Sequence, residues 1–191
     1  MRLTSDDSLL LLVDFQAALL PVVDGGAQAV NEAGWLAGVA DLVSVPVWVT
    51  EQSPGKIGAS APELLSALGE YRLWQKQHFS AMGEPDFSAA LEASGKTQVV
   101  LCGAEAHICV LQTALDLLAA GYAVYWLVEA TASRRRAEAA LARERACAGG
   151  AVGVSADMVA YEWIERCDTA TFKQAHQGFL KRRSPRPLTF F

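Results

Sequence analysis

Apolar runs and helix-type patterns alternate along this 191-residue chain. The apolar runs are short and continuous, as strands that are buried on both faces require. Between them, apolar residues recur at helical spacing, and glycine or proline often ends the pattern. The predicted strands cover residues 9–13, 47–49, 72–75, 99–102, 122–128 and 152–154. The predicted helices cover residues 27–43, 62–68, 87–93, 110–120, 134–148 and 155–179, the last broken near residue 168. This alternation indicates βαβ units and a parallel sheet.

The composition adds an expectation about assembly. Hydrophobic residues make up 52% of the chain and charged residues only 19%. A sheet covered on both faces needs such an excess, and so does a subunit that buries surface in an oligomer. Trp35 lies just off the apolar stripe of the first long helix, which adds to the expectation of a homo-oligomer, a dimer or larger. The length and the lack of a linker predict a single domain over residues 1–191.

Charge and cysteine usage narrow the partners and the compartment. The net charge of −5 gives no basic face for nucleic acid. The basic residues Lys181–Arg183, with Arg186, are expected to form a solvated tail rather than a binding patch. The apolar run at residues 8–13 is too short to span a membrane and follows two aspartates instead of a basic segment, so neither a membrane partner nor a signal peptide is expected. A cytoplasmic location with reduced thiols is the simplest expectation.

The segment Gly-Ala-Glu-Ala-His-Ile-Cys-Val at residues 103–110 carries the strongest chemical signal. It places Cys109 between a buried strand and a helix, where backbone N–H groups and the helix dipole favour an anion. A cysteine in that setting tends to be a thiolate near neutral pH, and the thiolate is the nucleophile. The other cysteines, Cys102, Cys147 and Cys167, show no metal-ligand spacing and are expected to be packing residues.

Two further reactive side chains follow predicted strands. Asp14 comes directly after the first strand and Lys76 after the third. Because ligands bind at the carboxyl ends of the strands in open α/β sheets, an acid, a cation and a thiol are expected to converge there. Taken singly, each has a structural alternative: a turn residue for Asp14, a solvated charge for Lys76, and a small buried hydrophobe for Cys109.

Three motifs in order carry a resemblance to a known family. The segments at residues 12–16 (Leu-Val-Asp-Phe-Gln), 76–80 (Lys-Gln-His-Phe-Ser) and 103–110 resemble those of the isochorismatase-like cysteine hydrolases, and the last follows the pattern of the isochorismatase domain-containing proteins. The similarity extends over nearly the whole chain. It implies a three-layer α/β/α, Rossmann-like fold with strand order 3-2-1-4-5-6 and a catalytic triad of Asp14, Lys76 and Cys109.

The resemblance also implies roles for these residues. Cys109 attacks an amide-type carbon and forms a thioester. Asp14 moves the protons, and Lys76 favours the ionised forms of both groups. The backbone N–H groups of Glu105 and Cys109 are the expected oxyanion hole, and a cis peptide bond is expected between Ala104 and Glu105.

Five residues are candidates for contact with a small-molecule substrate. Phe15 and Phe79 are expected to form apolar walls, although Phe79 is equally compatible with an ordinary core position. Gln16 and Gln52 are expected to line the pocket with polar groups. His107 either touches the substrate or hydrogen-bonds the backbone.

Departures from related enzymes limit the chemistry, and two alternatives remain. Residues 50–56 lack the histidines with which nicotinamidases of this superfamily bind a metal, so no metal and no cofactor are expected. One alternative is a catalytically silent, oligomeric small-molecule-binding protein of the same fold. The other, a dinucleotide-binding protein, is weak because Gly25-Gly26 comes too late after the first strand and lacks the required spacing.

Overall fold

Residues 2–190, which the computed structural model describes, form a six-stranded parallel sheet between two layers of helices. The strands are β1 (Ser8–Val13), β2 (Val47–Gln52), β3 (Tyr71–Lys76), β4 (Gln98–Ala104), β5 (Ala123–Ala132) and β6 (Val152–Val154). Their order in the sheet is β3-β2-β1-β4-β5-β6. The predicted fold class and strand order are therefore confirmed.

The helices cover both faces of this sheet. They are α1 (Gly26–Leu42), α2 (Pro54–Ile57), α3 (Pro62–Leu65), α4 (Pro85–Ala93), α5 (Leu111–Ala119), α6 (Arg136–Ala148), α7 (Ala156–Ile164), α8 (Ala170–Ala175) and α9 (Lys181–Arg183). A π-helical turn, Ala106–Val110, leads into α5, and another, His176–Leu180, joins α8 to α9. The break between α7 and α8 falls where the sequence predicts it.

Alternation along the central strand divides the core in two. Leu10 and Leu12 of β1 pack with α1 and α7 on one face of the sheet. Leu9 and Leu11 pack with α4, α5 and α6 on the other. Both sets are fully buried, which explains why β1 is a continuous apolar run without alternation.

The C-terminal segment corrects two expectations drawn from the sequence. Arg183 is not part of a solvated tail, because it is 3% exposed. Its guanidinium donates to Glu32 and to Glu129 at 2.7 Å each and lies 2.6 Å from a carboxylate oxygen of Asp157. It also stacks over the ring of Trp35 at 4.7 Å, so the chain's own C-terminus covers the tryptophan that had suggested a subunit interface.

No helix within residues 2–190 is long and apolar enough to cross a membrane.

Replacement of Arg183 by methionine is predicted to destabilise the fold strongly. The change removes the guanidinium, so Glu129 is left buried without a cation and Glu32 keeps only Arg186, 3.5 Å away. Breaking a buried ion pair in this way costs about 3–5 kcal/mol of unfolding free energy. Urea unfolding monitored by circular dichroism measures this cost. The matched control is Arg182→Met, one residue away on the exposed side of α9, where a change within about 0.5 kcal/mol is expected. Equal effects of the two variants would contradict the prediction.

Candidate active site

Asp14 occupies the carboxyl end of the central strand in an unusual backbone conformation. Its φ of +51° is uncommon for a non-glycine residue and turns the chain sharply after β1. Its N–H donates to the carbonyl of Thr50 at 3.1 Å, and the Thr50 hydroxyl donates to Asp14 Oδ1 at 2.7 Å. The carboxylate is fully buried. The turn therefore points a charged oxygen into the protein beside the end of β2.

Lys76 reaches this carboxylate from the edge of the sheet. Since neighbouring strands are about 4.8 Å apart, β3 lies about 10 Å from β1, a gap that a lysine side chain crosses with help from the aspartate. Lys76 Nζ lies 2.7 Å from Asp14 Oδ2. It also donates to Gln52 Oε1 at 2.6 Å and to the carbonyls of Phe79 at 3.0 Å and His78 at 3.3 Å. Such a set of oxygen acceptors suits an ammonium group and fixes its position.

The turn that carries Cys109 begins where β4 approaches β1 most closely. Gly103 pairs with Val13, and a Cβ at Gly103 would lie 2.1 Å from the Val13 carbonyl oxygen. Glycine is therefore required at this position, and its φ of +150° is also one that other residues rarely adopt. The next bond, between Ala104 and Glu105, is cis, at the place where the family resemblance puts one. The π-helical turn that follows places Cys109 beside Asp14 and Lys76.

Cys109 is only 7% exposed, and two neighbouring charges shift the pKa of its thiol in opposite directions. Its Sγ lies 3.9 Å from Gln52 Oε1, the same oxygen that Lys76 contacts. Burial and the Asp14 carboxylate raise the pKa of the Cys109 thiol to about 12, and Lys76 lowers it only partly. Burial and the Asp14 carboxylate thus favour the neutral thiol of Cys109, which opposes the thiolate expected from its position at a strand-to-helix turn.

The two glutamines predicted to line the pocket are both buried, with different partners. Gln52 contacts Lys76 and Cys109 through its oxygen and donates from Nε2 to the Gln77 carbonyl at 2.8 Å. Gln16 donates to the carbonyls of Gln52 at 3.0 Å and Gly58 at 2.6 Å and accepts the Gln52 N–H at 2.8 Å. The structure thus brings Gln52 into the site, whereas the polar atoms of Gln16 hold the loop between β2 and α3 in place.

The three remaining candidates occupy different surroundings. Phe15 is fully buried in the core on the α1 face, whereas Cys109 belongs to the core on the opposite face. Phe79 is half exposed, and its backbone carbonyl is a ligand of the Lys76 ammonium. His107 Nδ1 lies 2.9 Å from the Ser133 hydroxyl, and its Nε2 lies 3.4 Å from a Glu138 carboxylate oxygen. Of the three, Phe79 is the residue whose backbone contacts Lys76, and its side chain is open to solvent.

Sequence reasoning missed three contributors to the site. Thr50 positions the Asp14 carboxylate, and Ser133 and Arg134 contact the turn that carries Cys109. Thr50 carried a usable signal, because it directly follows the strand predicted over residues 47–49 and presents a hydroxyl at that edge of the sheet. The contacts of Ser133 and Arg134 depend on the extension of β5 to Ala132, four residues beyond its predicted end.

Nothing within residues 2–190 groups three His, Cys, Asp or Glu side chains in a way that would hold a metal ion.

The exposed Cys167 lies in the connection after α7, so its prediction as a packing residue is wrong, whereas Cys102 is buried as expected.

Comparison with known proteins gives consistent matches. A family model described as "Isochorismatase domain" matches residues 8–157. Isochorismatase domain-containing protein 2A of Mus musculus is 33% identical over 185 residues, which is 96% of this chain and 87% of the mouse protein.

Solved structures match over nearly the whole chain. The MAR1 ribonuclease of Caenorhabditis elegans superimposes with a TM-score of 0.87 at 27% identity, over all of both chains. The YcaC gene product of Escherichia coli, described as an octameric hydrolase of unknown specificity, gives 0.83 at 25% identity over 95% of this chain and 92% of its own. YcaC from Pseudomonas aeruginosa, solved with hexane-2,5-diol and covalent acrylamide, gives 0.84 at 26% identity over 95% and 93%.

The charges around Cys109 predict opposite effects of two substitutions on its pKa. Asp14→Asn removes the negative charge that raises the thiol pKa, so the pKa falls. Lys76→Met removes the positive charge that lowers it, so the pKa rises further. The measurement is the rate of Cys109 alkylation by iodoacetamide against pH, resolved by peptide mass spectrometry.

The exposed Cys167 in the same digest is the internal reference for reagent and pH effects. The wild-type Cys109 rate is expected to keep rising to about pH 10, since only the thiolate reacts. A wild-type plateau near neutral pH, or shifts of the same sign in both variants, would show that the charges do not control the thiol in this way.

Proposed function

Because this chain belongs to the isochorismatase domain family, we propose that it is a metal-independent cysteine hydrolase of a small molecule with an amide-type C–N bond. The observation that carries the proposal is the 2.7 Å contact between the buried carboxylate of Asp14 and the ammonium of Lys76, beside the Cys109 thiol. A base, a cation and a nucleophile in contact at the carboxyl end of a parallel sheet are the elements that covalent acyl transfer requires.

The first half of the reaction follows from the neutral state of the thiol. As Cys109 Sγ bonds to the substrate carbonyl carbon, its proton passes to the Asp14 carboxylate. Lys76 stabilises the negative charge that passes between sulfur and carboxylate. The carbonyl oxygen becomes an oxyanion held by the N–H groups of Glu105 and Cys109. When the C–N bond breaks, Asp14 returns the proton to the departing nitrogen, which leaves as an amine or ammonia.

The second half regenerates the enzyme. A water molecule gives a proton to Asp14 and attacks the thioester carbon. The C–S bond breaks, the proton returns to sulfur, and the carboxylic acid leaves. The sum is one amide and one water converted to one acid and one amine, with the same carboxylate acting as base and acid in turn.

The burial of Cys109 favours a small substrate over a large one. Cys109 is almost wholly buried. Gln52 contacts Cys109 and Lys76 through its side-chain oxygen, and Phe79 contacts Lys76 through its backbone carbonyl. Phe15, Gln16 and His107 are further candidates for contact with the substrate. The C. elegans neighbour is called a ribonuclease, but a net charge of −5 and a nearly buried nucleophile favour a small molecule over RNA here. A reducing cytoplasm suits a thiol nucleophile.

The decisive experiment is a search for an acyl adduct on Cys109. Intact-mass spectrometry during incubation with a panel of small amides, with ammonia release measured in parallel, is expected to show a transient adduct and turnover. Acrylamide is a further probe, because YcaC from P. aeruginosa carries it covalently. Cys109→Ser is expected to lose turnover by a factor of about 1,000 or more, whereas Cys167→Ser is expected to leave it unchanged.

Binding without any adduct would support the alternative function, a catalytically silent small-molecule-binding protein. Isothermal titration of the same amide panel separates the two. Saturable binding with neither ammonia release nor a mass shift on Cys109 would overturn the proposed chemistry and leave the fold untouched.

We also propose that the protein is a homo-oligomer. The E. coli neighbour is octameric, and this chain exposes large apolar side chains at both edge strands, among them Leu73 on β3 and Val152 on β6. Size-exclusion chromatography with light scattering is expected to give a mass at least twice that of the 20.4 kDa chain. A monomer at micromolar concentration would refute this part of the proposal.

A further inference from the structure

We propose that Glu105 and Arg134 are positioning residues of the hydrolase, whose ion pair fixes the turn that carries Cys109 and its oxyanion-binding amides. The inference rests on the proposed function. It concerns a part of the site that neither the triad nor the substrate contacts explain. Glu105 contributes its backbone to the proposed oxyanion hole, and its side chain has a separate task.

The contact between the two residues is dense and directional. Arg134 Nε lies 3.0 Å from Glu105 Oε1 and 2.9 Å from Oε2, and Arg134 Nη2 donates to Oε1. The backbone N–H of Arg134 donates to Oε2 at 2.9 Å. Both carboxylate oxygens are therefore held by a planar fork and a main-chain amide, an arrangement that fixes orientation as well as distance.

Burial makes this pair more than a surface ion pair. Glu105 is 5% exposed, whereas the Arg134 side chain is 48% exposed. The Arg134 guanidinium and amide keep the pKa of Glu105 below its ordinary value, so the carboxylate stays charged. A carboxylate so little exposed to water is stable as an anion only while its partners stay in place. The contact with Arg134 therefore fixes the position of the Glu105 backbone as well as that of its side chain.

The segment after β5 that carries Arg134 also contacts the Cys109 turn at a second residue, His107. Ser133, the residue before Arg134, accepts the N–H of His107 at 3.3 Å and lies 2.9 Å from its Nδ1. Ser133 is itself anchored, since its carbonyl accepts the Asp24 N–H at 3.0 Å. The nucleophile turn is thus fastened on both sides of Ala106 to the end of β5, which is the neighbouring strand in the sheet.

This geometry predicts a selective effect on one kind of chemistry. Acylation of Cys109 by p-nitrophenyl acetate forms the S–C bond, breaks the bond to p-nitrophenolate, sends the thiol proton to Asp14 and passes through an oxyanion. Alkylation by iodoacetamide displaces iodide at a CH₂ group and forms no oxyanion at the reacting carbon. A displaced oxyanion hole therefore slows the first reaction and leaves the second nearly untouched.

The experiment compares both rate constants at Cys109 in wild type, Glu105→Gln, Arg134→Met and Arg134→Lys. Arg134→Met is expected to slow acylation about 10- to 100-fold, the scale of a small misplacement of catalytic groups, and to change alkylation less than about threefold. Arg134→Lys keeps the charge without the fork and is expected to fall between. If Arg134→Met does not fold, Glu105→Gln is used in its place, with the same selective loss of the acylation rate expected.

The matched control is Arg166→Met. Arg166 makes a similar two-point contact with Asp168, at 3.0 and 2.6 Å, but both residues are exposed and follow α7. Both of its rate constants are expected to equal those of wild type.

The outcomes separate this inference from the proposed function. If wild-type Cys109 reacts with neither reagent, the proposed nucleophile fails. If wild type reacts with both, but the Glu105 and Arg134 variants change neither rate or change both equally, the ion pair is only structural and the inference is overturned.

Discussion

The contact between Asp14 and Lys76 is the interaction on which the site depends. Placing two charges in the interior costs several kcal/mol per ion through lost hydration, a cost that only close contact and further hydrogen bonds offset. Here Thr50 donates to the carboxylate, and Gln52 and two backbone carbonyls surround the ammonium. The pair also ties the edge strand β3 to the central strand β1 across the end of β2.

The same pair also influences the pKa of the Cys109 thiol. Asp14 and Lys76 act on Cys109 with opposite sign, and burial decides the balance in favour of the thiol. Because the thiolate is the reactive form, a neutral thiol reacts slowly with electrophiles and oxidants in general. In the proposed reaction, the reactivity of Cys109 therefore depends on proton transfer to Asp14 when a substrate carbonyl is in place.

The sequence was sufficient for the fold because the information is local. Buried strands require continuous apolar runs, and helices α1, α5 and α6 follow helical spacing and end near glycines or a proline. It was also sufficient for Asp14, Lys76 and Cys109 as candidates, since each follows a strand whose carboxyl end faces the same edge. The pKa of Cys109 was not predictable, because it depends on burial and on two charges from distant segments. The prediction that Arg183 is solvated was wrong for a similar reason. Its partners Glu32 and Glu129 are 151 and 54 residues away in the sequence, and nothing near Arg183 indicates that they lie in the core.

Three buried or half-buried ion pairs lie at or near the carboxyl edge of the sheet, and together they suggest how this edge is kept rigid. Lys76 and Asp14 join β3 to β1, Arg134 and Glu105 join the end of β5 to the turn after β4, and Arg183 joins Glu129 of β5 to the C-terminal helix. Backbone hydrogen bonds of the sheet stop at this edge, where the strands give way to turns. Ion pairs between side chains take over the task of holding neighbouring turns together. Glu129 strengthens the argument, because its Oε1 also accepts the Ala156 N–H at the start of α7, which follows β6. These three ion pairs thus connect turns at the edge of the sheet where the proposed catalytic groups lie.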